Sequence, residues 1–466
     1  MRTKFVVAAL MLTLLGNLPG AFAADPPEKW FVVQDAVNTQ SSFMLRVEVD
    51  RPDRTYYVGE QMTVTVKAEK DCYLYLVYYG ASNQVACLFP NEYQKENFIR
   101  AGQPVTVPAP DAKFQFTCSP PCGKEYLQVI GTLQPTDIFK GKVLNKSFAT
   151  VLDTADLKDM KVELKKGKPQ DWAEARIDIL TVEGSRQPPP PGRQPSQYGK
   201  SKRFAVCVGI SEFKSPQVPP LHVSHKDAQR MAQALQEQCQ VSDVTLLINS
   251  QATRAAIEKA IFQDLVQKSK PGDTVFIYFS CHGGRTADTN GDEQDGLDEY
   301  IVPHDGELGK PDTMILDDVF ARWMQELDGR KIAIILDNCY SGGSSKGMKG
   351  LGDNQTVSGS LDFLDGEMKR AKDLGQANTM VLAASQANQV AWEMPENDGD
   401  GSVLTNYSLA ALKDSRTDAN GDGHISVGEL YKTIKTPVEE YVRKTFNADQ
   451  NPVLLDNAND GIYCKP

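Results

Sequence analysis

Residues 331–343, KIAIILDNCYSGG, open as an unbroken apolar run of strand length and stop abruptly in polar residues and paired glycines. Such a run reads as a strand buried on both faces, the habit of a parallel sheet covered by helices. Residues 274–284, TVFIYFSCHGG, repeat the pattern upstream. Each run ends beside one reactive side chain, His282 in the upstream copy and Cys339 in the downstream one. Open parallel sheets bind ligands beyond the carboxyl ends of their strands, so neighbouring strands would bring an imidazole and a thiol to one rim. An adjacent imidazolium lowers a thiol pKa enough to populate the nucleophilic thiolate at neutral pH. The pair therefore predicts nucleophilic cysteine chemistry.

The surrounding chain alternates strand and helix. Residues 203–210, RFAVCVGI, read as a first strand and 244–248, VTLLI, as a second. Between them Ala228, Met231, Ala232 and Leu235 recur at helical spacing over 227–238. Thr253 is placed to cap a helix carrying Ile257, Ile261 and Leu265. A third helix is expected over 317–327, a further strand over 380–384 and a helical stretch over 407–412. This order predicts an α/β parallel sheet with helices on both faces and right-handed crossovers.

YFSCHGG, DTNGDEQDGLDE, LDDVF and ILDNCYSGG, taken together, resemble the metacaspases and related bacterial caspase-like proteases in order and spacing. His282 and Cys339 stand 57 positions apart, near the ~50 usual for caspases. The resemblance covers residues 201–466 and implies a caspase-like cysteine endopeptidase. In that reading Cys339 attacks, His282 serves as general base and acid, and the N–H groups of Cys339 and Gly283 form the oxyanion hole. Cys281 stands where the family usually has Gly, and Tyr340 where metacaspases usually have His; neither removes the dyad.

The resemblance also implies an acidic pocket built by Asp227, Ser280 and Asp337. Two aspartates in a closed pocket favour a cationic side chain, best an Arg bound bidentately. The expected partner is a protein or peptide cut after Arg or Lys. The plainer alternative has Asp227 capping its helix and Asp337 holding a turn. A rival for the whole chain is a catalytically inactive caspase-like scaffold that serves in recognition.

Calcium is the expected cofactor. Residues 418–429, DANGDGHISVGE, match an EF-hand loop, with Asp418, Asn420 and Asp422 as oxygen ligands, Gly423 at the sharp turn and Glu429 in twelfth place. An unoccupied acidic turn is the alternative. A second acidic loop runs from Asp288 through Asn290 and Asp292 to Asp298 and Glu299, with Glu293 where the EF-hand needs Gly. Asp298, Asp317 and Asp318 resemble the aspartates of the metacaspase calcium site, although a further acid expected after the nucleophile falls at Lys346. Lys346, Lys349, Lys369 and Arg370 lie in residues 344–377, a stretch that reads either as a self-cleaved loop or as a surface insertion.

The 466 residues suggest two or three domains, and a net charge of −11 argues against nucleic acid as a partner. A basic start, a short apolar core and an A-x-A site predict a signal peptide over residues 1–23 and a secreted or periplasmic protein with no integral membrane span. Residues 24–184 are expected to form an all-β, sandwich-like domain, from short alternating runs within 43–149. YYVGEQMTV, CYLYLVYYG and CLFPNEYQ there resemble an uncharacterised bacterial β domain that accompanies caspase-like modules. The charged tail 153–184 has no evident place. A Pro-rich spacer, 185–202, leads into the caspase-like residues 203–466. Of nine cysteines, Cys72, Cys87, Cys118 and Cys122 are expected to pair among themselves, in any of three connectivities.

Overall fold

The computed structural model describes residues 37–38, 40–144, 147–184, 201–290, 296–338, 378–386, 389–395, 397–456 and 463–465. The chain divides into two compact units, Met1–Ser196 and Gln197–Pro466. The signal peptide at 1–23 and the spacer residues 185–200 lie outside the described residues, as do Cys339 and the whole of 344–377.

In the first unit, a three-stranded sheet (Leu45–Val49, Val64–Ala68, Val105–Val107) shares a core with a seven-stranded sheet centred on Cys72–Tyr79, Gly123–Thr132 and Trp172–Val182. Alternate residues of the two layers meet there, Val47, Val64 and Val66 with Leu74, Leu76, Leu127, Val129 and Ile177, which makes the unit a sandwich. The charged tail is a structural part of it. Asp153 and Asp156 form a capping box that starts a helix, Thr154–Lys166. Leu157, Met160 and Leu164 of that helix pack on the outer sheet face against Val77, Tyr79 and Ile130. Trp172–Val182 then runs antiparallel to Gly123–Thr132.

That strand hides from a hydrophobicity reading because its polar residues are buried as well. Glu174 and Arg176 are at most 4% exposed, and Gln128 opposite donates to Glu174 at 3.2 Å. The expected cysteine pairing is corrected too. Cys72, Cys87, Cys118 and Cys122 are all free thiols. Burial pushes the first three up to about 12. Among the described residues the disulfide that does form joins Cys239 to Cys464, 225 positions apart in the second unit.

The second unit is built on six strands: β1 (Arg203–Gly209), β2 (Asp243–Ile248), β3 (Thr274–Ser280), β4 (Lys331–Leu336), β5 (Thr379–Ala383) and β6 (Val453–Asp456). Their spatial order is β2-β1-β3-β4-β5-β6. The first five are parallel as expected, whereas β6 pairs antiparallel with β5 and closes an edge that the sequence pattern did not announce. On one face lie α1 (Ser224–Glu237), α2 (Val403–Leu412) and α3 (Val427–Phe446), packed on Ala205, Cys207, Tyr278, Ala333 and Ile335. On the other, Phe279 meets Phe320 of the helix Asp317–Glu326 at 5.8 Å. Thr253 caps the helical stretch that follows, accepting from the Ala256 amide at 3.2 Å.

Among the described residues the largest wholly buried side chain is Arg330, just before β4. Its Nε donates to Ser269 Oγ at 2.9 Å, one terminal nitrogen to Glu326 and Asp328 carbonyls, and the other to Val266 and Ser269 carbonyls. A guanidinium offers five N–H donors in a rigid fork, and here each has an acceptor. One side chain thus ties two helix ends to the start of the strand that leads to Cys339.

Candidate active site

Register brings the strand ends level. Phe279 of β3 lies beside Leu336 of β4, and the Asp337 amide donates to the Phe279 carbonyl at 2.8 Å. The Ile210 amide, at the end of β1, donates to the Ser280 carbonyl at 3.0 Å. His282 stands two residues beyond β3, at the same rim as Asp337 and Asn338, and all three are almost fully buried. Gly283 opens a hairpin strand, Gly283–Ala287, paired with Leu297–Ile301.

The His282 ring is held from two sides. Nε2 lies 2.8 Å from the Pro219 carbonyl, and Phe213 packs against the ring with centroids 5.1 Å apart. A carbonyl only accepts, so in the neutral imidazole Nε2 carries the proton and Nδ1 is the basic nitrogen. Pro219 was not among the expected site residues. A main-chain carbonyl has no side-chain signature to find.

Asp227 reaches the rim because Gly209 has no side chain. A Cβ at Gly209 would sit 2.3 Å from the Ser224 carbonyl and 2.6 Å from Ala228, so bare backbone lets the start of α1 close on the end of β1. Asp227 lies past the Val223 N-cap, and its wholly buried carboxylate accepts from the Ser402 amide at 3.1 Å and from Arg230 at 2.5 Å. The amides ahead of α1 go to Glu393 instead, from His222 at 3.2 Å and Val223 at 3.3 Å. Asp337 accepts from the hydroxyls of Ser402 and Thr405.

Ser402 therefore bridges the two buried carboxylates, with its amide on Asp227 and its hydroxyl on Asp337. Thr405 spends its proton on Asp337, so the Tyr278 hydroxyl, 2.7 Å away, donates to Thr405. Burial, with the charges of Asp337 and Asp227 added, pushes the Tyr278 phenol well above its usual range and keeps it protonated. Ser280, the third expected pocket residue, is wholly buried at the end of β3. Ser402 and Thr405 carry no distinct sequence signal, because hydroxyls are common at any helix start, and Tyr278 reads as one more position of a buried strand.

The EF-hand-like loop leads into α3. Asp418 accepts from the amides of Gly421, Asp422 and Gly423, at 2.8 to 3.1 Å. Gly423 takes φ +81°, the left-handed turn the sixth position needs. Glu429 accepts from the amides of Ala419, Asn420 and Ser426, and these bonds hold its carboxyl below the usual range although burial opposes them. Among the described residues no group of three His, Cys, Asp or Glu converges as a metal cage. Amide acceptance still leaves carboxylate lone pairs open, so donor types and turn geometry fit a calcium loop. In the other acidic group, Asp298 and Asp317 are buried and Asn290 donates to Asp318 at 2.7 Å, while Asp292 falls outside the described residues.

A mainly parallel α/β sheet whose rim carries a buried, oriented histidine and a pair of bridged carboxylates has the architecture of a caspase-like fold. A model of the caspase domain matches residues 202–460, and the chain belongs to that family. A domain of unknown function, DUF4384, matches residues 55–135 of the first unit.

Metacaspase-1 of Ajellomyces capsulatus is 33% identical over 183 residues, 34% of this chain and 50% of that protein. Metacaspase-1 of Pyricularia oryzae is 35% identical over 176 residues, 33% of this chain and 43% of that protein. The chain thus spans about half the length of these curated relatives, or less. Caspase-1 from Spodoptera frugiperda aligns structurally at 13% identity and a TM-score of 0.35, over 55% of this chain and 87% of that one.

Proposed function

We propose that this chain is an exported caspase-like cysteine endopeptidase that cuts after Arg or Lys. The observation that carries the specificity is the pair of buried carboxylates, Asp227 and Asp337, bridged by Ser402 beside the His282 rim. A cation entering there meets carboxylates already oriented by hydrogen bonds from Ser402 and Thr405.

In the reaction, His282 Nδ1 takes the Cys339 proton and the sulfur attacks the scissile carbonyl. The C–N bond breaks as the imidazolium returns its proton to the leaving amine, and water then hydrolyses the thioester. Pro219 keeps Nε2 occupied throughout, so the ring cannot turn its basic nitrogen away.

Paired reporter peptides ending in Arg and Asp test the reading. The Arg peptide should be cleaved at least about 10²-fold faster, as sites built around a polar partner discriminate strongly. Preference for Asp would overturn the specificity. No cleavage of either, with no labelling of Cys339 by an Arg-based electrophile, would favour the scaffold.

Calcium binding belongs to the same proposal. Asp418, Asn420, Asp422 and Glu429 would hold the ion, whose charge would fix the entry to α3. Equilibrium dialysis should show at least one equivalent of Ca2+ taken up, and one fewer in Asp418→Ala. Equal uptake by both would remove the loop from consideration. Asp298, Asp317 and Asp318 are proposed as a second calcium site. Export is supported by the residue 1–23 pattern and by the Cys239–Cys464 disulfide, a bond that persists in oxidising compartments.

A further inference from the structure

Arg230 lies one helical turn beyond Asp227 on α1, and its guanidinium already occupies the acidic rim. One terminal nitrogen is 2.5 Å from Asp227 Oδ1, and the other is 2.7 Å from Asn406 Oδ1 on α2. Asp227 is wholly buried, whereas the Arg230 side chain is 34% exposed, so the cation comes to the carboxylate from the solvent side. Gly401 makes the approach possible. A Cβ there would fall 1.7 Å from the Arg230 nitrogen and 2.6 Å from Asp227 Oδ1, so only a glycine leaves the guanidinium its place.

We infer that Arg230 is a specificity-determining residue that acts as a built-in competitor, holding Asp227 until a substrate's basic side chain displaces it. The inference rests on the proposed Arg/Lys pocket. Its physical content is a charge balance. With Arg230 in place the two aspartates carry one net negative charge between them. With it displaced they carry two, and a monocation is drawn more strongly to a buried dianion than to a half-neutralised one. Arg230 also supplies the planar fork that suits a carboxylate, so it holds Asp227 as a substrate Arg would. The other basic residue on this side of α1, Lys226, pairs with Asp400 at 2.8 Å and leaves Asp227 alone in the contacts seen.

The test compares Arg230→Gln with the parent full-length protein on Arg and Lys reporters. Glutamine keeps donors for Asp227 and Asn406 but removes the charge. KM should fall about three- to tenfold with kcat little changed, the size expected when a partly exposed ion pair no longer has to be broken. The Lys and Arg reporters should gain by similar factors, because the same ion pair is broken for either. Asn406→Ala, which loosens the guanidinium without removing it, should lower KM in the same direction and covers the case in which Arg230→Gln fails to fold. Binding of benzamidine to the Cys339→Ala background, read as a thermal shift, should tighten with either change, and this readout needs no turnover.

A parent that cleaves Arg reporters while both variants keep or raise KM and benzamidine affinity stays flat would overturn the inference, leaving Arg230 a fixed strut. A parent that neither cleaves Arg reporters nor binds benzamidine would overturn the pocket itself, and this inference with it.

Discussion

His282→Ala is expected to lower kcat/KM toward an Arg reporter by about 10³-fold or more, at unchanged secondary structure. General acid–base catalysis contributes about 10²–10⁴, and in the proposed mechanism the same ring also activates the nucleophile. The geometry makes the effect specific to one nitrogen. Because the Pro219 carbonyl holds Nε2 at 2.8 Å, Nδ1 is left as the base. Glutamine at this position preserves a donor for Pro219 but has no basic atom, so His282→Gln should be as inactive as alanine. Steady-state assays with circular dichroism decide it. Either variant retaining activity within tenfold of the parent would mean that the ring takes no part in proton transfer.

The second large effect falls on stability. Arg330→Ala should destabilise the second unit by about 3–5 kcal/mol, read as a lower urea midpoint for loss of reporter hydrolysis. The substitution strands one hydroxyl and four carbonyls that Arg330 satisfies and leaves a cavity where the largest wholly buried side chain stood. Lysine keeps the charge but offers three donors in place of five, so Arg330→Lys should recover only part of the loss. A midpoint unchanged by alanine would show that these bonds are replaced by water at no cost.

Much of the second unit could be read directly. Strands β1, β3 and β4 fall where the apolar runs fall, because a strand buried on both faces must be apolar throughout. The antiparallel β6 edge escaped notice, since Val453–Asp456 is a short run amid Asn and Asp. In the first unit Trp172–Val182 escaped for the opposite reason. Its Glu174, Arg176 and Asp178 look solvated in one dimension and are buried in three. The cysteine expectation failed because pairing depends on distance between β carbons, and Cys239 meets Cys464, 225 positions away, only once the second unit has folded.

The chain's local pattern was enough to establish an α/β unit with His282 and the acids Asp227 and Asp337 at strand and helix ends. Periodicity and abrupt polar stops are properties of neighbouring residues. Folding alone decided what each of those groups faces. Pro219 orients the imidazole, Ser402 joins two carboxylates, and Arg230 lies across one of them over Gly401. Those partners lie three to 175 positions away along the chain, and hydrogen bonds and ion pairs form by proximity in space, which no stretch of sequence contains.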